Sequence, residues 1–345
     1  MKIRFAKYDL NLKHTFTVSS YSRNHTPAII VRIDESGLCG YGEASMPQYL
    51  VHNENEILEF LSTINIDKFD IDRDFEELLE YISSFPEKLN PGKAALDIAA
   101  HDLYGKIKGK SWVEIKGYDK TIALESSFTI GIDSPEMIKI KIAEASEFNI
   151  LKIKLGRDND KEIISTIRNI TDKPIFADIN QGWKNKESAL ENIFFLKENN
   201  VRLIEQPMPE NCLDEIAWLT ERSPLPVIAD ESCRTVEDFY NIKDCFHGIN
   251  VKLMKTGGIR NAEKLIQVAR KSGKKIMLGC MTETSCGISA ASQIISFADY
   301  ADLDGNLLIE NDPFEGAQIR NGRISASDVP GIGIKSVKFD PVKGA

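Results

Sequence analysis

FADIN, RLIEQP and VIADES are three short apolar segments that carry Asp178, Glu205 and Asp230, and their spacing decides the fold. The acidic residues lie 27 and 25 residues apart, an interval that matches a strand followed by its covering helix. A parallel β/α barrel places the ends of successive strands side by side around one mouth. The spacing therefore predicts that the three carboxylates lie together.

Lysines continue the same interval on both sides of the acidic series. Lys152 and Lys154 in LKIKL come one unit earlier, and Lys252 in NVKLMK comes one unit later. Since Lys152 and Lys154 are two residues apart, both face the same side of a strand. An edge strand with a solvated lysine face would also explain LKIKL, but a closed barrel has no edge. Five consecutive strands should thus bring three carboxylates and three lysines to one pocket.

The composition is that of a globular protein of 345 residues with a net charge of −9. A pI near 5.3 argues against nucleic acid or an anionic membrane as the partner. The six cysteines form no C-x-x-C pair, so reduced thiols in a cytoplasm are expected. The start of the chain, MKIRFAKYDL, alternates like a strand and contains no apolar signal core.

The central part of the chain predicts a (β/α)7β TIM barrel. Short apolar runs alternate with amphipathic stretches, which is typical of a parallel sheet covered by helices. No helical pattern follows the eighth run, so the ring should hold eight strands and seven regular helices. The runs lie near 123–131, 150–155, 174–178, 201–205, 226–230, 248–252, 275–279 and 299–303.

The N-terminal part predicts an α+β capping domain. Alternating segments precede GLCGYGEAS, which has the composition of a turn, and amphipathic helical patterns follow it. The segments lie near 2–10, 13–19 and 27–34, and the helical patterns near 54–63, 73–84 and 91–107. The predicted domains are a cap over 1–115, a barrel over 116–318 and a C-terminal segment over 319–345 that returns to the cap.

The acidic triad predicts a metal site. Asp178 or Asp230 alone would also serve as the N-cap of the next helix, but Glu205 is a poor N-cap. Three carboxylates at one mouth repel each other unless a cation lies among them. All-oxygen ligation favours one Mg²⁺ ion per subunit. Asn180 and Gln206 should hold the ligands through hydrogen bonds.

The lysines predict acid–base chemistry at a substrate α-carbon. In a ring of eight strands, the second and sixth strands lie opposite each other, so Lys154 and Lys252 should face each other across the pocket. One lysine would remove the proton, the metal would hold an enediolate, and the other lysine would return a proton to the far face. Lys152 would lower the pKa of its neighbour Lys154.

These motifs resemble those of a known family. The elements K-x-K, D-x-N, E-Q-P, D-E-S and K-x-x-K-x-G-G are similar to the muconate-lactonising-enzyme subgroup of the enolase superfamily, over nearly the whole chain. Mandelate-racemase-like members use a His at the seventh strand, where this chain has MLGCMTETS. The resemblance therefore implies the first subgroup and a cap that closes over the substrate.

The eighth strand narrows the resemblance to dipeptide epimerases. Asp302 and Asp304 in YADLDGN match a D-x-D element that binds the substrate α-ammonium in that family. A dipeptide is about 7 Å long at roughly 3.5 Å per residue, so it could reach from the metal to this strand. Turn or capping roles before Gly305 are the alternative for both residues.

Four further residues are expected to touch the substrate. The family resemblance implies that Arg23 in SSYSRNH, between two strands, binds a glutamyl side chain, with a solvated loop arginine as the alternative. Thr129, at the end of the first strand, is expected to hydrogen-bond the substrate. Cys280 and Met281, at the end of the seventh strand, are expected to line the pocket, although a free Cys is often a core residue.

The resemblance implies an epimerase that acts on the C-terminal residue of a dipeptide, L-Ala-D/L-Glu, in cytoplasmic recycling of cell-wall peptides. The rivals are o-succinylbenzoate synthase, which is a lyase, and muconate cycloisomerase. Their substrates have no ammonium group, so the D-x-D element disfavours both. A non-catalytic Mg²⁺ protein would not need opposed lysines. Whether copies of the chain form a homo-oligomer stays open.

Overall fold

Two large sheets organise the chain in a computed structural model that describes residues 1–48, 54–339 and 341. The strands are β1 (Lys2–Thr17), β2 (Ser22–Glu35), β3 (Leu38–Ser45), β4 (Ala123–Glu125), β5 (Ser127–Ile130), β6 (Ile150–Lys154), β7 (Ile175–Asp178), β8 (Val201–Glu205), β9 (Val227–Ala229), β10 (Gly248–Val251), β11 (Lys275–Gly279), β12 (Tyr300–Asp302), β13 (Phe314–Glu315), β14 (Arg323–Ser325) and β15 (Ser336–Val337). The helices are α1 (Glu54–Thr63), α2 (Phe75–Ser83), α3 (Asn90–Lys108), α4 (Trp112–Lys116), α5 (Pro135–Glu144), α6 (Asp160–Arg168), α7 (Lys186–Glu198), α8 (Leu213–Arg222), α9 (Val236–Ile242), α10 (Leu253–Thr256), α11 (Ile259–Lys271) and α12 (Ser285–Ser292).

The parallel sheet confirms the predicted (β/α)7β barrel. Strands β5 to β12 are neighbours in chain order, and a parallel bridge between Ser126 and Ala301 joins the two ends of the sheet. A regular helix follows each of the first seven strands, whereas only a short 3₁₀ turn at Gly305–Leu307 follows β12. LKIKL forms β6 between β5 and β7, so the edge-strand alternative is wrong.

An apolar layer fills the barrel below the acidic residues. Phe176, Leu203 and Ile228 form a buried cluster with Met277. The first three lie two residues before Asp178, Glu205 and Asp230 and therefore on the same face of their strands. The opposite strand faces, such as Leu151 and Ile153, belong to the core shared with the covering helices. The acidic residues therefore lie above the filled barrel interior, at the mouth that the β/α loops surround.

The antiparallel sheet corrects two expectations for the N-terminal part. The segments near 2–10 and 13–19 form the single strand β1, whose register with β2 shifts between Asn11 and Phe16. GLCGYGEAS is not a turn, because its residues 38–45 form β3. Its glycines are needed for packing: a Cβ on Gly42 would overlap the carbonyl oxygen of Ala95 in α3.

Helix α3 fixes this sheet to the barrel. Asp97 accepts a hydrogen bond from the backbone N–H of Ile259 at 2.6 Å. Asn90 donates to the carbonyl oxygen of Lys255 at 2.5 Å. Both partners lie just beyond the sixth barrel strand, so the helix positions the cap over the barrel mouth.

The C-terminal segment contacts both parts of the molecule. Strand β14 pairs with β4 next to the barrel, and the N–H of Trp112 donates to the carbonyl oxygen of Gly331 at 3.0 Å. The ring of Tyr8 packs edge-on against Phe339 at 4.9 Å between centroids. Residues 340 and 342–345 of the predicted segment lie outside the described residues, and the boundaries at 115 and 318 stay a proposal. Among the described residues, no helix has the length and apolar content needed to cross a bilayer.

Candidate active site

The three acidic residues meet at the barrel mouth. One carboxylate oxygen from each of Asp178, Glu205 and Asp230 lies within 4.8 Å of the others, and all three side chains are buried. The N-cap alternative is wrong, because Asn185 caps α7 and Thr235 caps α9. The strand ends therefore present the carboxylates to each other and not to the following helices.

Two amide side chains and one backbone N–H form hydrogen bonds with the residues of the triad. Asn250 donates to Oε1 of Glu205 at 2.8 Å, and the backbone N–H of Asn180 donates to Oδ1 of Asp178 at 3.0 Å. The side-chain oxygen of Gln206 accepts the N–H of Asp230 at 3.0 Å. Gln206 thus holds the backbone of Asp230, whereas the side chain of Asn180 lines the cavity and donates to Glu231 at 3.3 Å. Both residues adopt positive φ, 44° and 36°.

The lysines reach the triad from several strands. Nζ of Lys152 lies 3.0 Å from Asp178 and 2.7 Å from both Glu205 and Asp302, so it bridges the barrel interior. Lys154 contacts Asp178 at 2.6 Å, and Lys252, directly after β10, contacts Asp230 at 2.7 Å. Lys154 and Lys252 line the same cavity. The two lysines therefore approach one space from opposite strands of the ring.

Lys255 is a buried residue of the site that was not predicted from the sequence. Its Nζ donates to Oδ1 of Asp230 at 2.7 Å and to three backbone carbonyl oxygens, at distances between 2.6 and 3.1 Å. The residue lies on the short helix α10, past the strand end, but its long side chain reaches back to the triad. Its K-x-x-K spacing to Lys252 was the available signal.

Burial and charge set the protonation states at the mouth. Burial raises the pKa of Asp178, but the ammonium groups of Lys154 and Lys152 outweigh it and lower this pKa to about 2. Burial and then the charge of Asp178 raise the pKa of Glu205 to about 7. Burial lowers the pKa of Lys152, yet the carboxylates around it, Asp302 first, hold this pKa well above its usual value. Lys152 therefore stays charged.

The donor set fits a divalent metal ion. Oε2 of Glu205 is buried without a hydrogen bond, although Nζ of Lys152 lies 2.7 Å away. Oxygen atoms from three carboxylates, with no His or Cys in the group, are the ligands that Mg²⁺ prefers. Asp178, Glu205 and Asp230 are therefore the residues that would hold it.

Asp302 and Asp304 lie on the opposite wall of the cavity. Asp302 accepts a hydrogen bond from Ser127 at 2.7 Å as well as from Lys152. Asp304 accepts from the N–H of Thr129 at 2.5 Å and from its hydroxyl at 3.2 Å. Asp304 precedes the 3₁₀ turn, but its side chain does not cap it, so the capping alternative is wrong.

The four remaining predicted residues also line this cavity: Arg23, Thr129, Cys280 and Met281. Arg23 lies in β2, opposite Phe16 of β1, and not in a solvated loop, because β2 begins at Ser22. Its guanidinium donates to the hydroxyls of Tyr21 and Thr282 at 2.7 and 2.8 Å, and its buried Nε has no partner among the described residues. Its charge is thus met only by neutral groups.

The sequence missed several cavity-lining residues of the cap and the β/α loops. Phe16 and Tyr21 enter from the hairpin of β1 and β2, and Glu231 and Thr282 come from barrel loops. Glu231 directly follows Asp230 in the D-E-S motif, which was its available signal. No local pattern marks Phe16 and Tyr21, since they reach the cavity through the docking of the cap, and Thr282 directly follows the predicted Cys280 and Met281.

Comparison with known proteins identifies the family. Residues 138–338 match the model of the Enolase C-terminal domain-like family. An L-Ala-D/L-Glu epimerase from Bacteroides thetaiotaomicron is 51% identical over 338 residues, which cover 98% of this chain and 88% of that protein.

Solved structures share the whole architecture. A substrate-liganded complex of the L-Ala-D/L-Glu epimerase from Bacillus subtilis superposes with a TM-score of 0.89 at 26% identity, covering 98% of this chain and 99% of that chain. The dipeptide epimerase from Enterococcus faecalis V583, complexed with Mg and L-Leu-L-Tyr, superposes with a TM-score of 0.85 at 29% identity, covering 97% and 99%. The chain therefore belongs to the enolase superfamily, in the group of the dipeptide epimerases.

Proposed function

We propose that this protein is a Mg²⁺-dependent epimerase that inverts the α-carbon of the C-terminal residue of a dipeptide, with L-Ala-D/L-Glu as its preferred substrate. The observation that carries the proposal is one cavity lined by Lys154 and Lys252, which contact Asp178 and Asp230 of the buried acidic triad, and by the two aspartates Asp302 and Asp304. The relative from Bacteroides thetaiotaomicron supports the choice of Ala-Glu.

The opposed lysines account for inversion. Lys154 ends the second barrel strand and Lys252 follows the sixth, so their amino groups enter the cavity from opposite sides. One Nζ, as the neutral amine, takes the α-proton from one face, and the other Nζ, as an ammonium, gives a proton to the opposite face. When bound by the triad, Mg²⁺ supplies positive charge that stabilises negative charge developing on the substrate carboxylate. Lys152 and Lys255 hold the triad carboxylates in place.

The two ends of the dipeptide have separate partners. Asp302 and Asp304 lie at the end of the eighth barrel strand, across the ring from Glu205 at the end of the fourth, and both line the cavity, so they are within reach of an extended dipeptide of about 7 Å whose carboxylate lies near the triad. They are suited to bind the α-ammonium, which the substrates of o-succinylbenzoate synthase and muconate cycloisomerase lack. Both rivals therefore remain less well supported. An Ala-Glu substrate would place the protein in cytoplasmic recycling of cell-wall peptides.

Asp304→Asn should weaken dipeptide turnover selectively. Asp304 contacts only Thr129 among the hydrogen-bond partners described, whereas Asp302 also holds Lys152, so Asp304 gives the cleaner test. Losing one buried charge-assisted contact costs about 2–5 kcal/mol, or roughly 30- to 5,000-fold in kcat/KM. N-acetyl-L-Ala-L-Glu should be a poor substrate of the unaltered enzyme. Equal turnover of the acetylated and free dipeptides would rule out a binding site for the α-ammonium at these aspartates.

The pH dependence of the same contact has a defined sign. Burial and then the charge of Asp302 raise the pKa of Asp304 to about 7. Only the ionised carboxylate attracts an ammonium, so kcat/KM should rise with pH up to about 7. The profile of Asp304→Asn should lack that rise.

Arg23→Met should erase the preference for a glutamyl side chain. A guanidinium can bind a carboxylate through two parallel hydrogen bonds, and Arg23 faces the cavity with only neutral partners. L-Ala-L-Glu should exceed L-Ala-L-Leu and L-Ala-L-Lys in kcat/KM, and the variant should lose about 2–5 kcal/mol of that difference. A dipeptide screen in which apolar or cationic residues win would overturn the Ala-Glu assignment and leave the epimerase mechanism standing.

A further inference from the structure

Two carboxyl groups that the reaction does not use are buried together between the cap and the barrel. Glu43 lies on β3 of the cap, and Glu283 lies in the loop between β11 and α12 of the barrel. Both residues are at most 1% exposed. A Cβ on Gly287 would overlap Oε2 of Glu283 and lie 2.5 Å from Oε1 of Glu43, so the two carboxyl groups meet on the same side of one glycine.

Glu43 and Glu283 differ in the hydrogen bonds that their carboxyl groups accept. The Glu43 carboxylate accepts the N–H of Thr284 with both oxygens, at 3.0 and 3.1 Å, and the N–H of Gly287 at 2.7 Å. These donors lie at the N-terminus of α12, which favours negative charge. Among the described residues, Glu283 accepts a hydrogen bond from the N–H of Met281 alone, at 2.8 Å. These contacts therefore favour the ionised form of Glu43 and the protonated form of Glu283.

The segment between these groups carries part of the cavity wall. Met281 and Thr282 line the cavity, and the hydroxyl of Thr282 accepts a hydrogen bond from Arg23 at 2.8 Å. The carbonyl oxygen of Thr282 accepts from the hydroxyl of Ser45 at 2.6 Å. The segment 280–284 is therefore held from the cap at Glu43 and Ser45, and it in turn holds Arg23.

We propose that Glu43 and Glu283 hold one proton between them at neutral pH, and that this proton keeps the segment 280–284 against the cap and so positions Thr282 and Arg23. Two like charges in one buried place repel each other, and binding one proton removes the repulsion. Loss of the proton places a second negative charge in the junction and loosens the segment. The pair acts through Thr282 and Arg23, and its members are positioning residues.

The surrounding charges agree with one bound proton. Burial raises the pKa of Glu43 to about 7, and Asp312 adds to this effect. Burial raises the pKa of Glu283 to about 8, and Glu43 adds to it, whereas Lys252 opposes it. The charge of Glu283 acts on the thiol of Cys280, and the charge of Glu43 acts on the thiol of Cys286, which Asp102 and Lys106 also influence.

The first test measures proton linkage in the Mg²⁺-loaded protein and does not depend on the reaction. Because the folded pair binds a proton more tightly than free glutamate, its stabilisation is full below about pH 4.5 and is lost as the pH rises through about 7–8. Glu283→Gln cannot lose that proton. Its Tm relative to the unaltered protein should rise by about 2 °C per pH unit between pH 5.5 and 8.

Two checks keep this test decisive. Glu310→Gln, at an exposed carboxylate, should show a Tm difference that is constant with pH. A constant difference for Glu283→Gln as well would overturn the shared proton. If that variant does not fold, Glu43→Gln should show the same pH-dependent difference. In addition, the infrared difference spectrum between the unaltered protein and Glu283→Gln should show a protonated carboxyl band at pH 6.5 that disappears by pH 9, and its absence would overturn the proposal.

The second test measures positioning and rests on the proposed function. The KM of the unaltered enzyme for L-Ala-L-Glu, divided by the KM of Glu283→Gln at the same pH, should rise several-fold between pH 7 and 9. The corresponding ratio of kcat values should change little. A ratio of KM values that does not change with pH would overturn the positioning role. If no dipeptide is turned over, the proposed function fails, while the stability measurement still decides whether the proton is shared.

Discussion

Lys252→Ala should lose epimerase activity by roughly 10²–10⁴-fold, the range that a positioned acid–base group contributes. In D₂O the variant should still exchange the α-proton of one stereoisomer of Ala-Glu, because Lys154 remains on the other side of the cavity. Lys154→Ala should show the converse and exchange only the other stereoisomer. Mass spectrometry of separated diastereomers after incubation in D₂O measures both reactions.

Lys255→Met provides the matched control for these variants. Lys255 bonds the same Asp230 carboxylate as Lys252, but its Nζ is surrounded by four protein oxygens and not by the cavity. Its loss should therefore slow exchange of both stereoisomers alike. Substantial epimerisation by Lys252→Ala or Lys154→Ala, or loss of both exchange reactions in each, would rule out two bases on opposite faces.

Removal of the metal should abolish turnover, and Mg²⁺ should restore it. Glu205→Gln should reduce kcat/KM by about a thousandfold, because charge stabilisation by a bound metal is worth several kcal/mol. Glu205 is the member of the triad to replace, since Asp178 and Asp230 also hold the two proposed bases. The readout besides activity is the Tm, because a ligand at 100 times its Kd stabilises the folded state by about 2.7 kcal/mol.

Glu210→Gln is the control for the metal site. This exposed carboxylate pairs with Arg234 near the barrel rim, so the variant should keep both the activity and the rise in Tm with Mg²⁺. Full activity of the chelated protein would contradict the metal site. An unchanged Tm response to Mg²⁺ in Glu205→Gln would show that the ion binds elsewhere.

The barrel and its polar mouth could be predicted because both depend on short-range periodicities. Strand and helix lengths set the interval between Asp178, Glu205 and Asp230, and the alternation along one strand puts Lys152 and Lys154 on one face. Strand order then follows chain order, which placed Lys252 opposite Lys154. The acidic triad is confirmed as a buried cluster for the same reason.

Other parts of the site depend on contacts between distant segments, and those contacts are decided by the tertiary structure. The sequence of β3 has the composition of a turn, but its glycines are needed because α3 packs against them. Lys255 lies past the strand end in sequence, but its side chain turns back to Asp230. Arg23 and Glu43 meet Thr282 and Thr284 across about 240–260 residues of chain. A periodic pattern fixes which face a residue occupies, but the docking of the cap onto the barrel fixes which residues meet, because that docking is determined by the whole of two packed surfaces.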